Sequence, residues 1–524
     1  MSYRVLIPTA GVGSRLGHLT KHINKSLVSV GNRPTLSHQI EQFPPDCEFV
    51  IALGHKGDLV RQFLELAYPN KRFHFVSVSP FEGKGSGLGY TLICCANYLQ
   101  QPFVFLSCDT LVTEVIPSPI EDWMGYANLT NSDLYRTLEV KDNRVNDILE
   151  KGAEGPGTRY PYIGLAGVAN YRLFWDAMLS GGSPAIEQGE AYGLRRILIQ
   201  NSIRARQFDW QDAGTVNTLQ ETRIKYTRTD EPNILEKETE AIWLLNKEVI
   251  KFSTDKTFIQ NRVKRSKILS AFVPSVVSSS ANLFTYHKVN GQVLSAVVNL
   301  PLFHQLLTHA KRFWKPAKLS VAQKSEFQER CYKFYKLKTE ERVDAFYKKF
   351  DRKDGTEPIN NEKMPTLAAL LSQVDWRSLS NGLPGRFHGD FHFENILWDY
   401  ETGQFTFLDW RQDFAGDLQV GDIYYDLAKL LHGLIVSHDL IAKDHFQVNW
   451  VANQITFKLL RKQELVECEQ YFYDWCRNNG YSPKRVRLIT ALVYLNIAAL
   501  HHFPYSLLLF ALGKRLLNHE LIRT

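Results

Sequence analysis

Residues 388–395 read HGDFHFEN, a histidine, an aspartate two positions on and an asparagine five positions after that. Asp390 is suited to accept a hydroxyl proton, and Asn395 to offer an amide oxygen to a hard cation. Phosphoryl transfer asks for little more, because there the protein mainly positions groups and neutralises charge. The next residues have the pattern of a hairpin: NILWD, a turn through YETGQ, then FTFLDW. With the turn centred on Thr402, Asn395 and Asp409 each lie seven positions away and become cross-strand partners. Antiparallel pairing would then bring two oxygen donors together, just downstream of Asp390.

A second constellation opens the chain. AGVGSRLG (10–17) directly follows an apolar strand, YRVLIP. Gly11 and Gly13 permit backbone N–H groups to approach a phosphate chain, with Arg15 and Lys25 as cationic partners. The loop is not the dinucleotide pattern GxGxxG, since Leu16 replaces its third glycine, and neither it nor GKGSG (83–87) is a GxxxxGK[ST] loop. FVFLSCDT places Asp109 at the carboxyl end of a buried strand, the edge where open α/β sheets bind ligands. DWQDAGT sets Asp212 beside a glycine turn. Two such carboxylates suit Mg²⁺ held against nucleotide phosphates.

The elements that must carry these residues follow from apolar periodicity. Through about residue 220, short apolar strands (YRVLIP, EFVIALG, FHFVSVS, FVFLSCD) alternate with helical segments. That order predicts a mainly parallel α/β sheet covered on both faces. The polar stretch 225–238 is the expected junction. After it come a strand–turn–strand (AIWLLNKEVIKFS), a basic helix (KTFIQNRVKRSKIL) and a strand pair (LFTYHKVNGQVLS), then mostly helices from about 300. The expected domains are therefore 1–228, a small mixed lobe 229–300 and a helical lobe 301–524.

Composition sets the outer limits. A chain of 524 residues exceeds one core, and 44% hydrophobic with 22% charged residues is ordinary for a globular protein. A net charge of +7 is small for this length; it suits anionic small-molecule substrates and does not call for nucleic acid. The densest basic stretch, 309–353, also carries Glu326, Glu329, Glu340, Glu341 and Asp344, and reads as solvated helices with a basic face. Seven cysteines without a CxxC pair, and an amino terminus without a secretory pattern, fit a reduced cytoplasm. The apolar tract LITALVYLNIAALHHFPYSLLLFALGKR is interrupted by Asn496, His501, His502 and Pro504, so buried helices are expected rather than a stable membrane insertion. Homo-oligomerisation is left open.

PTAGVGSRL…NKSLVSVGNRP resembles the start of the sugar-phosphate nucleotidylyltransferases, whose pattern is roughly G-x-G-[ST]-R-[LM] followed by P-K-x-L. The likeness continues through Asp109, ILEKG, YIGLAGVANY and WQDAGT; Asn24 stands where the pattern has proline, and GKGSGLGYTL replaces a GTAGAL-like segment. The resemblance implies a Rossmann-like (GT-A-like) sheet. In it Ala10, Gly11, Gly13 and Ser14 bind nucleotide, Arg15 and Lys25 stabilise its phosphates, and Asp109 with Asp212 binds metal. It also implies that Glu150, Lys151 and Gly164 hold the phosphorylated substrate.

HGDFHFENIL, FLDW and VGDIYYDLAKL, from about 235 to the end, resemble the aminoglycoside phosphotransferase and choline kinase superfamily. That implies an α+β, bilobal protein-kinase-like fold. Asp390 is its base, Asn395 and Asp409 bind metal, Asp426 braces the core, and His388 is architectural. Lys251 in EVIKFS is the candidate phosphate-pairing lysine, and YHKVNGQVL the expected interlobe hinge.

The two chemistries join head to tail, one forming a phosphate ester from an alcohol and the other using that phosphate on an NTP. The expectation is a bifunctional enzyme using Mg²⁺, ATP, and CTP or UTP to make an NDP-activated donor, with a sugar as acceptor, for surface-glycan synthesis. One alternative is choline or another amino alcohol, since fused and paired choline enzymes have these two folds; a quaternary ammonium would need an aromatic cage, to which Trp450, Tyr471, Tyr473 and Trp475 could contribute. Another is a regulatory nucleotide-binding protein with an inactive domain.

Overall fold

The computed structural model describes residues 3–129, 134–153, 158–227, 237–451 and 454–522. Most of the expected junction, 228–236, therefore lies outside the described residues. The chain divides into two compact units, Met1–Lys256 with Val277–Lys288, and Thr257–Val276 with Val289–Thr524.

The first unit is built on a nine-stranded sheet. Four parallel strands come first, in the order Arg72–Ser77, Glu48–Leu53, Arg4–Pro8, Phe103–Leu106. Arg159–Val168 then runs antiparallel to Phe103–Leu106 and to Trp123–Tyr126, so the sheet is mixed beyond its first half rather than mainly parallel. The first strands read as unbroken apolar runs because both faces are covered: Val5, Ile7, Phe49 and Ile51 face one core, while Leu6, Val50, Phe103 and Phe105 face the other.

Three of the strands expected in the small lobe belong to this unit. Glu240–Leu245, Glu248–Ser253 and Leu283–His287 form an antiparallel sheet whose Trp243, Ile250, Phe252 and Leu283 join the first core. The Trp243 ring meets Phe63 edge-on at 5.2 Å, and the Leu244 N–H donates to the Asn32 carbonyl at 2.7 Å. Each such apolar side chain stabilises the contact by roughly 1.5–3 kcal/mol. Since Ile250 and Phe252 face that core, alternation turns Lys251 to the opposite face of the sheet, where it is nevertheless buried.

The second unit is mainly helical. Ile423–Ile435, Pro483–Ala498 and Tyr505–Ile522 pack together, so the apolar tract near the chain end does form buried helices. No described helix is long and apolar enough to cross a membrane. Val321–Tyr332 opens with a capping box between Ser320 and Gln323, passes through a π-helical turn at Lys333–Leu337, and continues as Lys338–Lys349.

Two local expectations are corrected. The segments of LFTYHKVNGQVLS do not pair with each other: Leu283–His287 pairs with Glu248–Ser253, whereas Gln292–Val293 pairs with Leu397 and Trp398. The hairpin register is also one residue off. Asp399 pairs with Gln404 around a four-residue loop, Tyr400–Gly403, so Ile396 faces Phe407 and the Leu408 N–H donates to the Asn395 carbonyl at 2.7 Å. The loop is set by the Asp399 carboxylate, which accepts from the Glu401 N–H and the Thr402 hydroxyl, and by Gly403 at φ 64°. Asn395 and Asp409 therefore share the open end of the hairpin without being direct partners. A one-residue offset would ordinarily put Asp409 on the other face. Its φ of +59° takes it out of the strand conformation at that point.

Candidate active sites

In the first unit Asp109 and Asp212 are brought together by strand pairing. Trp210–Asp212 runs antiparallel to Thr110–Val112 with Asp212 opposite Thr110, and the Ala213 N–H donates to the Asp109 carbonyl at 2.9 Å. A Cβ built on Gly214 would sit 2.9 Å from Asp212 Oδ1 and 3.0 Å from Asp109 Oδ2. Both carboxylates thus converge on a space that only glycine leaves open.

Lys25 Nζ lies 3.3 Å from Asp109 Oδ2 and an Arg15 guanidinium nitrogen 3.8 Å from the same oxygen. The Ser107 hydroxyl donates to Asp109 Oδ1 at 2.6 Å. Burial opposes ionisation of Asp109, but Lys25, Ser107 and Arg15 together outweigh it and hold the carboxyl down at about 2. Lys25 is raised in return, Asp109 and Cys108 together overcoming its own burial. Asp212 moves the other way, raised by burial and by the neighbouring charge of Asp109, while accepting from the Gly214 N–H at 2.8 Å and the Tyr135 hydroxyl at 3.1 Å. Lys25 and Arg15 both lie against Asp109, whereas Asp212 keeps a raised pKa beside that charge, so the Asp212 side of the pair is where a further positive charge would be stabilised.

The glycine loop leaves Gly11 exposed, with open space where a Cβ would stand. Gly13, at φ 71°, admits no side chain because Lys25 Cβ would lie 2.9 Å away. Ala10 is buried and its carbonyl is taken by the His55 N–H at 2.9 Å; Ser14 is exposed. Gly164, at φ 69°, packs against Ser107 and accepts the Ser107 N–H at 2.8 Å, which seats it beside the Asp109 loop. Glu150 is bound to Arg136 at 3.1 Å and Arg195 at 2.7 Å, and these arginines draw its pKa down against the effect of burial. Lys151 is exposed in the following turn.

Sequence reasoning marked Asn24 only as a departure from the family pattern and gave it no role. It is fully buried, donates to the carbonyls of Thr9 and His55 at 2.8 and 2.6 Å, and accepts from the Ser26 N–H at 2.9 Å. It caps the short turn Lys25–Leu27 and so fixes the lysine. An Asn just before the candidate lysine is the signal that was available.

In the second unit Asp390, Asn395 and Asp409 come from one loop and its hairpin. Asn395 Nδ2 donates to the Asp390 carbonyl at 3.0 Å and to Asp390 Oδ2 at 3.2 Å. Among the described residues no donor reaches Asn395 Oδ1, which is the end suited to a cation. Asp409 is bound by Arg262. The helix Lys256–Ile268 sends two arginines, Arg262 and Arg265, to the catalytic loops. Arg265 donates to the carbonyls of Phe387, Arg411 and Leu418 and lies over the Phe387 ring at 3.8 Å.

Lys429 is the main residue missed here. Its Nζ lies 2.7 Å from Asp390 Oδ1 with its side chain only 9% exposed. Against burial, it holds Asp390 well below the ordinary carboxylate range. It was legible in principle: Lys429 follows Asp426 by one helical turn, and Asp426 clamps the same loop by accepting from the His388 and Gly389 N–H groups at 2.6 and 2.7 Å. His388 is fully buried and held neutral, its pKa lowered by burial to about 3.

The four aromatics proposed as a cage do not converge. Trp450 stacks on Phe510 at 5.4 Å, Tyr471 lies edge-on to Phe303 at 6.5 Å, the Tyr473 hydroxyl is bound to Glu469, and Trp475 stacks on Phe472 and Tyr481.

Residues 323–454 match the family of phosphotransferase enzymes. The amino-terminal region is similar to Bifunctional protein GlmU of Methanococcus vannielii, 25% identical over 153 residues, and to that of Methanococcus maripaludis, 21% over 150. The chain joins a nucleotidylyltransferase-like region to a phosphotransferase-family domain. Each GlmU alignment covers 28% of this chain and 35% of the relative, so the chain spans about a third of the length of these proteins. Among solved structures, a UDP-glucose pyrophosphorylase from Acinetobacter baumannii matches 43% of this chain and 93% of its own at 14% identity, TM-score 0.37. The CTP:phosphocholine cytidylyltransferase of Streptococcus pneumoniae matches 43% of this chain and 99% of its own at 15% identity, TM-score 0.35. The phosphotransferase-family match spans Asp390, Asn395, Asp409 and Lys429. All four candidate metal ligands offer hard oxygen, and among the described residues no group of three or more His, Cys, Asp or Glu side chains forms a metal cage. Hard oxygen is the donor type that Mg²⁺ takes.

Proposed function

We propose that this protein phosphorylates a small hydroxyl compound with ATP at Asp390 and then couples the phosphate to CTP or UTP at Lys25, yielding an NDP-activated donor and pyrophosphate. The observation that carries the reading is the convergence of Asp109 and Asp212 on the space above Gly214 beside Lys25, in one chain with a phosphotransferase-family loop. In the first reaction the acceptor oxygen attacks the γ-phosphorus, the bond to ADP breaks, and the proton passes to the Asp390 carboxylate, which Lys429 keeps ionised. In the second, the phosphate oxygen attacks the α-phosphorus and pyrophosphate leaves, with Lys25 and Arg15 neutralising the charge that develops. Mg²⁺, held by Asp109 with Asp212 and by Asn395 with Asp409, would supply further charge neutralisation at each site.

A sugar acceptor, and a role for the product in surface-glycan assembly, are the readings we favour. The four aromatics engage in ordinary packing contacts, which gives a quaternary ammonium no support from that cage. ³¹P NMR of the purified protein with ATP, Mg²⁺, and CTP or UTP against a panel of sugars, polyols and amino alcohols tests the proposal. A phosphate monoester appearing first, then a diphosphate diester with pyrophosphate, is expected. Binding of Mg²⁺·NTP without consumption of any would support a regulatory protein instead.

A further inference from the structure

The basic stretch 309–353 is not uniformly solvated. After the π-helical turn at Lys333–Leu337, Lys338 and Arg342, one helical turn apart, are half-buried. Lys338 Nζ lies 4.3 Å from the centre of the Phe334 ring, and the Arg411 guanidinium carbon lies 5.0 Å from the same ring. Arg411 is fixed at its backbone by donation to the His388 carbonyl at 2.9 Å, one residue from the Asp390 loop glycine. Its Nε is buried and has no hydrogen-bond partner. Among the described residues none of Lys338, Arg342 and Arg411 forms an ion pair with a carboxylate. Lys429, 2.7 Å from Asp390, completes the group. Burial, with Arg411, Arg342 and Lys429 nearby, brings Lys338 down to about 7. Lys338 and Arg411 thus share the Phe334 ring, Arg342 follows Lys338 by one helical turn and Lys429 holds Asp390, a concentration of basic side chains that self-repulsion disfavours unless an anion enters it.

Asp390 gives the cluster its direction. One carboxylate oxygen faces Asn395, a candidate metal ligand, and the other faces Lys429. In an in-line transfer the acceptor approaches opposite the leaving group, so the Lys429 side is the acceptor's side.

We propose that the acceptor alcohol is itself an anion, carrying a carboxylate or phosphate group that Lys338, Arg342 and Arg411 bind while Lys429 and Asp390 receive its hydroxyl. This inference rests on the phosphotransfer reading above and names the substrate class of that site. It separates the acceptor from neutral sugars and from cationic amino alcohols.

The test compares initial rates of ADP formation by the full-length protein with three matched acceptors: a neutral hexose, the corresponding hexuronic acid and the corresponding hexose 6-phosphate. One charged arm should exceed the neutral one at least tenfold in kcat/KM, and which arm does so distinguishes carboxylate from phosphate. Arg342→Gln and Lys338→Met, each half-exposed, should raise KM for the preferred acceptor at least tenfold and leave KM for ATP within twofold. Equal rates on the neutral hexose would overturn the inference, as would variants that raise KM for ATP and not for the acceptor. If no acceptor of any charge consumes ATP, the phosphotransfer reading is what fails. Calorimetry with inorganic phosphate then decides the anion site alone: binding to the wild type that weakens at least fivefold in both variants supports it, and unchanged binding refutes it.

Discussion

Asp426→Asn offers a sharp test, because the charge of Asp426 and its hydrogen bonds act in opposite directions. The side chain is fully buried and accepts three donors: the His388 N–H at 2.6 Å, the Gly389 N–H at 2.7 Å and the Trp314 indole at 3.0 Å. Burial still raises its pKa to about 6, against an ordinary unfolded value near 3.9. The folded state therefore binds the proton more tightly. The favourable contribution of protonated Asp426 is complete below about pH 4 and is lost as pH rises through about 6, by about 3 kcal/mol at 1.36 kcal/mol per unit. Asparagine abolishes that slope. It can still accept from His388 and Trp314, but its NH₂ then opposes the Gly389 N–H, at about 1–3 kcal/mol for the unsatisfied donor. Near pH 7.5 the two effects roughly cancel, so the variant should unfold within about 2 kcal/mol of the wild type, and at pH 5 it should be clearly the less stable. Catalysis has no such compensation. Gly389, at φ 89°, precedes Asp390, and a base displaced by about 1 Å loses roughly 100-fold in rate. The assays are unfolding of the full chain followed by tryptophan fluorescence from pH 5 to 8, and ADP formation. A stability gap that widens with pH, or a phosphotransfer rate within threefold of the wild type, would refute the reasoning.

Three further outcomes are expected. Asp390→Ala should abolish product from the free alcohol but not from its phosphate, while Lys25→Met should stall the reaction at the phosphate, with a loss of about 100-fold or more in the pyrophosphate-releasing step; ³¹P NMR distinguishes the two. Gly164→Ala should lower stability by roughly 1–3 kcal/mol and slow only the second step, because its φ is 69° and the new Cβ would meet Ser107 Cβ at 2.8 Å; thermal unfolding together with separate step assays checks this. Removal of divalent cations with EDTA should silence both steps, and Mg²⁺ should restore them, measured as ADP and pyrophosphate release.

How much was legible depended on the range of the interaction. Strand runs such as FVFLSCDT announce themselves through local apolar periodicity, and the carboxyl edge of that strand is where Asp109 stands. The hairpin was also readable, but its register turned on which of Tyr400 to Gly403 form the loop, a matter decided by the Asp399 side chain. Lys429 and Arg262 were missed because their roles arise from contacts 39 and 147 residues apart in sequence. The partial burial of Lys338 was missed because periodicity cannot distinguish a solvated basic face from one packed against an aromatic ring. Gln292–Val293 was assigned the wrong partner for a similar reason, since sequence proximity favoured a hairpin over a pairing with Leu397 and Trp398.

The small sheet carrying Lys251 is fastened by Trp243, Ile250 and Phe252 to the core of the nucleotidylyltransferase-like region. Severing the chain near residue 228 to obtain a free-standing kinase would therefore bare a greasy slab, and the released piece should precipitate or recruit chaperones. Shuffling this fusion with other modules would have to keep that slab covered and also leave Thr257–Val276, whose Arg262 and Arg265 hold Asp409 and the Phe387 carbonyl, with the second unit.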